Sequence, residues 1–260
     1  MRTKKTSNER RGPVRLQYVG KMPEYAAFAR FYDSLNDEPE PRSRKMLRYI
    51  DRYAPNATSV LELGCGTGAI LAGLGSGLTL TGIDQSPEML AIARRRCPTA
   101  SLYEADITSF SLSDRFDVVL CVFDTLNHLP TFAGWRAVFE RVSEHLRPGG
   151  LFVFDLNTLG RLRSLSESPP WVHHFDANTL IMDVEFDGES LSVWDVQVFE
   201  HVKDDQFRLC HERIVELGVP LAMVREALEA RFELLEETDP DGNRPNDESV
   251  RAYFACRRRD

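Results

Sequence analysis

The sequence predicts a doubly wound α/β fold, a largely parallel sheet wrapped by helices on both faces. Three observations point to it. Short apolar runs of strand length alternate with amphipathic stretches of helix length between residues 58 and 156. A glycine-rich turn, LELGCGTGAI, follows directly on the first run. The next two runs each close on an aspartate, Asp84 and Asp106.

Each element follows in order. Residues 58–63 (TSVLEL) form a buried strand feeding the turn, and residues 78–83 (LTLTGI) a second strand ending in Asp84. Ser86-Pro87 then supplies an N-cap and a first-turn proline, with Met89, Ile92 and Ala93 on one helix face. Residues 100–103 give a third strand, followed by Ala105-Asp106-Ile107. The continuous apolar run 116–123 (FDVVLCVF) is expected of a central parallel strand covered on both faces. Phe132, Trp135, Val138, Phe139, Val142 and Leu146 trace one side of a helix that Pro148-Gly149-Gly150 should stop, and residues 151–156 (LFVFDL) return as a fifth strand.

The period changes after Asn157. Apolar and polar residues largely alternate from Ile181 to Val202, with Asp187-Gly188 and Asp204-Asp205 as turns, which predicts an antiparallel β-meander within 171–215, inserted after strand five. A helix at 221–230 and strands at 232–237 and 249–256 rejoin the main sheet. The organisation expected is a basic tail (1–20), a core (21–160 plus 216–260) and an insert (161–215).

Composition narrows the function. A hydrophobic content of 42% supports one large domain with an insert, and no apolar run reaches membrane-spanning length. The first fifteen residues are basic and polar, unlike a secretory signal, and read as a disordered tail. A net charge of −8 offers nucleic acid no overall attraction, and the basic runs 10–11 and 257–259 read as solvated tails. The five cysteines form no CxxC pair, which argues against a disulfide framework or zinc site and suits a reducing cytoplasm.

The glycine turn decides the ligand class. No lysine follows the glycines, so a phosphate loop of the GxxxxGK[ST] type is excluded. The spacing Gly64-x-Gly66-x-Gly68 also departs from the GxGxxG of dinucleotide folds. Glu62 just ahead of it would repel a pyrophosphate and suits a ligand with cationic groups; it could instead hydrogen-bond backbone within the turn. Asp84 stands where a carboxylate can accept both ribose hydroxyls, and Asp106 where one can read an adenine amino group. All three lie at the carboxyl ends of adjacent strands, where open α/β sheets bind ligands.

ELGCGTG, GIDQSPEML, EADI, FDVVLCVFDTLNHL and LRPGG, in that order, resemble the successive motifs of class I S-adenosylmethionine-dependent methyltransferases. The resemblance runs over residues 25–154, more loosely to the C-terminus. It implies a Rossmann-like seven-stranded sheet of order 3-2-1-4-5-7-6, the last strand antiparallel, and S-adenosyl-L-methionine as cofactor. It also implies that the turn (Glu62, Gly64, Cys65, Gly66, Gly68) lies against the methionyl part and that Asp84 holds the ribose. Gln85, Met89, Asp106 and Ile107 would flank the adenine, and Phe123 would end the fourth strand beneath the cofactor. In similar enzymes a YD-containing helix, here within 25–35, acts as a lid whose tyrosine, Tyr32, reaches the cofactor; core packing of Phe28, Phe31 and Tyr32 is the alternative. Arg44 could meet the cofactor carboxylate or lie on the surface.

The insert resembles the antiparallel roof of bacterial deoxysugar N,N-dimethyltransferases and is similar to glycine N-methyltransferases. That implies a small-molecule acceptor, methylated on an amine or hydroxyl, with no nucleic acid or membrane partner; such roofs often pair subunits, so a homodimer is conceivable. Trp171, His173, His174 and Trp194 are candidate pocket or interface residues. His128 is the candidate base, with a structural histidine as the alternative, and Asp124 the candidate for shaping the pocket. Asp124 and Asp155 also resemble the metal-binding pair of catechol-type O-methyltransferases, but Asp155-Leu156-Asn157 lacks the paired Asp-Asn, and no metal is expected. The absence of an NPPY-type sequence and of Pro-Cys argues against amide, adenine or cytosine-C5 acceptors. A protein or RNA acceptor, or cofactor binding without catalysis, are the alternatives.

Overall fold

The computed structural model describes residues 28–35, 40–204 and 206–260. The basic tail, including Arg10 and Arg11, and Tyr25 lie outside them. Helices α1 (Ala29–Leu35) and α2 (Glu40–Tyr53) precede β1 (Ser59–Leu63), α3 (Ala69–Gly73), β2 (Thr79–Asp84), α4 (Pro87–Arg96), β3 (Ser101–Glu104) and β4 (Phe116–Cys121). A 3-10 turn, Thr125–His128, leads to α5 (Phe132–His145), β5 (Leu146–Asn157) and α6 (Leu159–Ser166). Next come β6 (Trp171–Phe175), β7 (Asn178–Phe186), β8 (Leu191–Lys203) and β9 (Gln206–Leu217), then α7 (Leu221–Glu229), β10 (Phe232–Thr238) and β11 (Arg251–Arg258).

The main sheet runs β3-β2-β1-β4-β5-β11-β10, with β11 antiparallel to both neighbours. Counted along this sheet the order is the expected 3-2-1-4-5-7-6. Alternation along each strand sends Leu61, Val119, Phe152 and Phe154 to one face and Val60, Val118, Leu120 and Val153 to the other. Trp135 and Phe139 of α5 with Val224 of α7 cover the first face; Met46 and Ile50 of α2, Leu71 of α3 and Leu90 of α4 cover the second. Both faces are therefore dry, as a doubly wound sheet requires. Among the described residues no helix is long and apolar enough to cross a membrane, and all five cysteines are free thiols.

Three local expectations are corrected. Strand β5 starts at Leu146, because α5 already ends at His145: Phe116 faces Leu146 while Val118 faces Leu151, so residues 147–150 are taken up as a bulge within the strand. Strand β4 stops at Cys121 rather than Phe123, since Phe123 and Asp124 turn into the left-handed region at φ 65° and 54°. The C-terminal arginines are not a solvated tail. Arg257 and Arg258 lie in β11, the Arg258 guanidinium donates to the Leu146 carbonyl, and Arg259 Nε donates to the Phe232 carbonyl at 3.0 Å.

The meander forms a separate antiparallel sheet, β6-β7-β8-β9. Its inward side chains Leu180, Val196, Val198 and Ile214 pack on Phe31 of α1 and on Phe28 just before it. One buried side chain clasps both ends of this excursion. Asn127 Nδ2 donates to the carbonyls of Asn157, where β5 ends, and Leu217, where β9 ends, each at 2.9 Å, and Asn127 Oδ1 accepts the Asn157 N–H at 2.9 Å.

Asp117 aligns the sheet's amino-terminal edge. Its carboxylate accepts the N–H and hydroxyl of both Thr58 and Ser59, and Arg147 donates to it at 2.6 Å. Burial would raise this carboxyl, but the Thr58 N–H, the Ser59 hydroxyl and Arg147 outweigh it and bring it down to about 2. A folded value below the unfolded one, about 3.9, gives stability that is complete above pH ~4 and lost as pH falls towards 2. Asp117→Asn is therefore expected to be less stable than wild type at pH 7, with the gap closing between pH ~4 and ~2. Urea unfolding across that range checks it; a constant gap would refute the assignment.

Candidate functional site

Three adjoining cavities open at the carboxyl ends of β1, β2, β3 and β4. The first, ≈ 760 Å³ out to its mouth, is lined by Gly64, Gly66, Asp84, Gln85, Met89, Asp106, Ile107 and His128 among others. The second, ≈ 840 Å³, lies under the separate sheet and is lined by Trp171, Leu180, Met182, Trp194, Ile214 and Glu216 with Asp124, His128, Arg161 and Arg251. The third, ≈ 590 Å³, lies over the glycine turn, with Asp33, Arg42, Glu62, Cys65, Thr67 and Arg96 on its walls. Tyr32 and Phe123 line all three. Their rings meet edge to face at 6.3 Å, so the cavities join at this aromatic pair.

The glycine turn is held open from β2. Gly66 N–H donates to Asp84 Oδ2 and Ser86 N–H to Asp84 Oδ1, both at 2.8 Å. Burial raises the Asp84 carboxyl, and these backbone donors partly offset it. Gly64 sits at φ +66°, and a Cβ there would stand 2.4 Å from Thr125 Cγ2, so only glycine lets the turn approach the 3-10 segment. Gly68 lines none of the three cavities. A Cβ at Gly68 would lie 3.2 Å from Ala93 Cβ and Cys97 Sγ, so its role is close packing of the turn on α4. Asp106 borders the first cavity while its Oδ1 accepts the N–H and hydroxyl of Thr108 at 2.8 and 2.7 Å.

Glu62 is the electrostatic anomaly. It is 2% exposed, and its Oε2 has no hydrogen-bond partner among the described residues. Burial first, and the neighbouring Asp84 carboxylate second, push its carboxyl well up; the Leu71 N–H only partly compensates. A buried acceptor without a donor costs about 1–3 kcal/mol, so the third cavity has one place prepared for a cation or hydrogen-bond donor. Arg42 and Arg96 stand on its other walls, a pattern suited to a zwitterionic amino-acid group.

Arg251 organises the second cavity. It donates to Asp124 Oδ1 and Asp155 Oδ2, each at 2.8 Å, and to Asn157 Oδ1 at 3.1 Å. The Asn157 amide then donates to Glu216 Oε2 at 3.0 Å. Asp124 thus stands in an ion pair with Arg251. The Phe123 ring is bracketed by Arg42 at 3.7 Å and Arg251 at 5.6 Å from its centroid. His128 borders the first and second cavities; burial lowers its imidazole and Asp124 draws it back up in part, which keeps the ring neutral at pH 7. Ligand atoms of Asp124, His128 and Glu216 lie within 4.8 Å of one another, a spacing a metal could use. The positive charge already on Asp124 is a guanidinium, and Arg251 likewise bridges the Asp124–Asp155 pair.

Some expected residues fall elsewhere. Arg44 is exposed, and Arg42, two residues earlier, reaches the site. His174 is exposed, with Nδ1 3.0 Å from the Thr179 hydroxyl, while His173 stacks between Trp171 at 5.2 Å and Phe175 at 6.0 Å. Sequence reasoning missed Arg42, Arg96, Arg161, Glu216 and Arg251. A signal existed for Glu216: it shares the inward phase of its strand with Ile214, an acid at a core position.

Sheet order, glycine turn and strand-end aspartates together define the fold of the class I methyltransferases. Residues 60–150 match the family model described as a methyltransferase domain. The chain is 41% identical over 107 residues to dTDP-3-amino-3,6-dideoxy-alpha-D-glucopyranose N,N-dimethyltransferase of Streptomyces fradiae, covering 41% of this chain and 42% of that one. It is 33% identical over 141 residues to dTDP-3-amino-3,4,6-trideoxy-alpha-D-glucopyranose N,N-dimethyltransferase of Streptomyces venezuelae, 54% of each chain. These matches span about half the length of the curated relatives. Among solved structures, a S-adenosylmethionine-dependent methyltransferase from Clostridium acetobutylicum superposes with TM-score 0.79 at 21% identity, covering 91% of this chain and 99% of that one. A sugar N-methyltransferase from Streptoalloteichus superposes with TM-score 0.78 at 21% identity, covering 96% and 99%.

Proposed function

We propose that the chain is a S-adenosylmethionine-dependent methyltransferase that methylates an amine on a small molecule, an amino sugar being the favoured acceptor class. The observation that carries this is the junction itself: a nucleoside-sized cavity, a cavity prepared for an amino-acid zwitterion, and a roofed acceptor cavity meet at Tyr32 and Phe123. The orphaned Glu62 oxygen beside Gly64 and Gly66 fits the cofactor's ammonium, Arg42 its carboxylate, and Asp84 its ribose.

When bound, the cofactor supplies a methyl group on a positively charged sulfur leaving group. Holding an acceptor lone pair in line with that methyl supplies most of the acceleration. The residues of this chain contribute position and proton handling. Glu216 gives the roofed cavity a carboxylate that can receive an amine, and the neutral His128 imidazole can take the proton the amine must shed. The Arg161 guanidinium lines the same cavity, so it offers an anionic handle on the acceptor, such as a sugar phosphate, a counter-charge. The named activities of the relatives support the amino-sugar class.

Isothermal titration should give heat with S-adenosylmethionine and none with NAD; no heat with the former at millimolar concentration would end the proposal. With dTDP-3-amino-3,6-dideoxyglucose as acceptor, Glu216→Gln is expected to reduce kcat/KM at least about tenfold, since a hydrogen bond to a charged group contributes about 1.5–3 kcal/mol. Unchanged kinetics would remove Glu216 from the acceptor site.

A further inference from the structure

The third cavity is closed on one side by α1, a helix of seven residues, too short to persist on its own. Its hold comes from its two ends. At the roof end, Phe28 N–H donates to Glu212 Oε1 at 3.0 Å, Arg30 pairs with Glu200 at 2.7 Å, and Phe28 and Phe31 sit in the roof's apolar cluster. At the other end, Asp33 meets α4 and the glycine turn at once. Arg96 donates to both Asp33 oxygens, Nη2 to Oδ2 at 2.7 Å and Nη1 to Oδ1 at 3.3 Å. Thr67, 1% exposed in the turn, donates its hydroxyl to Asp33 Oδ1 at 2.7 Å, while Arg96 Nη1 reaches the Thr67 hydroxyl at 2.7 Å and its carbonyl at 3.1 Å.

We infer that Asp33, Thr67 and Arg96 form a latch that fastens α1 over the glycine turn and sets how long a ligand stays beneath it. The ligand meant is the cofactor proposed above, so this inference rests on that reading. Each latch residue lines the third cavity, and Tyr32, next to Asp33, lines all three. A ligand lying in the first and third cavities is covered by Tyr32 and Asp33, and releasing it means parting Asp33 from the turn. Asp33 is a positioning residue here: it holds α1 and thereby Tyr32. The two sides of the ion pair are 32% and 39% exposed, so salt reaches it and weakens it.

The test is the dissociation rate of labelled S-adenosylmethionine chased with unlabelled ligand. Asp33→Asn should release it about fivefold faster, the effect of losing one partly exposed, well-formed ion pair. Added salt should accelerate release from wild type and not from the variant. Arg30→Gln, which cuts the ion pair at the roof end of the same helix, should leave the rate unchanged. Equal rates for Asp33→Asn and wild type, or equal acceleration by Arg30→Gln, would overturn the latch. Hydrogen exchange of residues 29–35 without ligand separates the latch from the cofactor assignment: Asp33→Asn should exchange faster there, and unchanged exchange overturns the fastening even if the cofactor binds. If wild type binds no S-adenosylmethionine, the cofactor reading fails, and this exchange arm alone decides the latch.

Discussion

Asp84→Ala is expected to weaken S-adenosylmethionine binding by at least about a hundredfold, the loss of two hydrogen bonds to a charged acceptor at about 1.5–3 kcal/mol each. The residue has two jobs. Its carboxylate lines the first cavity, and the same oxygens accept Gly66 N–H and Ser86 N–H at 2.8 Å. Removing it takes away the proposed ribose acceptor and also leaves the Gly66 and Ser86 N–H groups without their partner, so Asp84→Asn, which keeps one acceptor oxygen, should bind with intermediate affinity. Titration calorimetry with circular dichroism as a fold control measures both. A folded Asp84→Ala protein with wild-type affinity would mean the ligand lies elsewhere.

Arg251→Met should be the most destabilising single replacement in the acceptor half, by about 3–5 kcal/mol, because it strands two carboxylates beside the cavity. Asp155 is 4% exposed, and both Asp124 and Asp155 rely on this one guanidinium. Burial works against the Arg251 charge, but Asp155 and Asp124 hold its ionisation well above the usual arginine value, so the guanidinium is charged at every working pH. A loss of that size is a large share of the ~5–15 kcal/mol that holds a typical protein together. Urea unfolding at pH 7 reads it directly. Adding Asp155→Asn to Arg251→Met should recover part of the loss, because it deletes one of the stranded charges; no recovery would show that methionine fails by shape alone.

The half of the site proposed for the cofactor was legible in sequence because each part is local. A strand, its terminal acid and the turn that follows occupy a dozen residues, and the parallel sheet brings their ends together without further instruction. The acceptor half was not. Arg251 reaches Asp124 across 127 positions, Glu216 reaches Asn157 across 59, and nothing near either residue in the chain announces the meeting. The turn of Phe123 and Asp124 into positive φ was hidden as well, since neither is the glycine that usually marks it. Arg42 could have been chosen over Arg44 from helix phase: Met46, Tyr49 and Ile50 face inward on α2, and Arg42 lies one turn before Met46. The apolar period fixes the wall, and the charged residue in phase with it reaches the site.

The Asn127 clasp has a consequence for how such a molecule can change. The excursion that forms the roof leaves at Asn157 and returns at Leu217, and one amide grips both points from the core side. The core is thus a chassis with a single docking plate, on which the acceptor-facing part is an exchangeable cartridge. Roofs of different lining can be grafted between those two carbonyls provided they keep Glu200, Glu212 and the apolar seat for Phe28 and Phe31 that hold α1 over the glycine turn. An engineer replacing the roof has that seam to cut along.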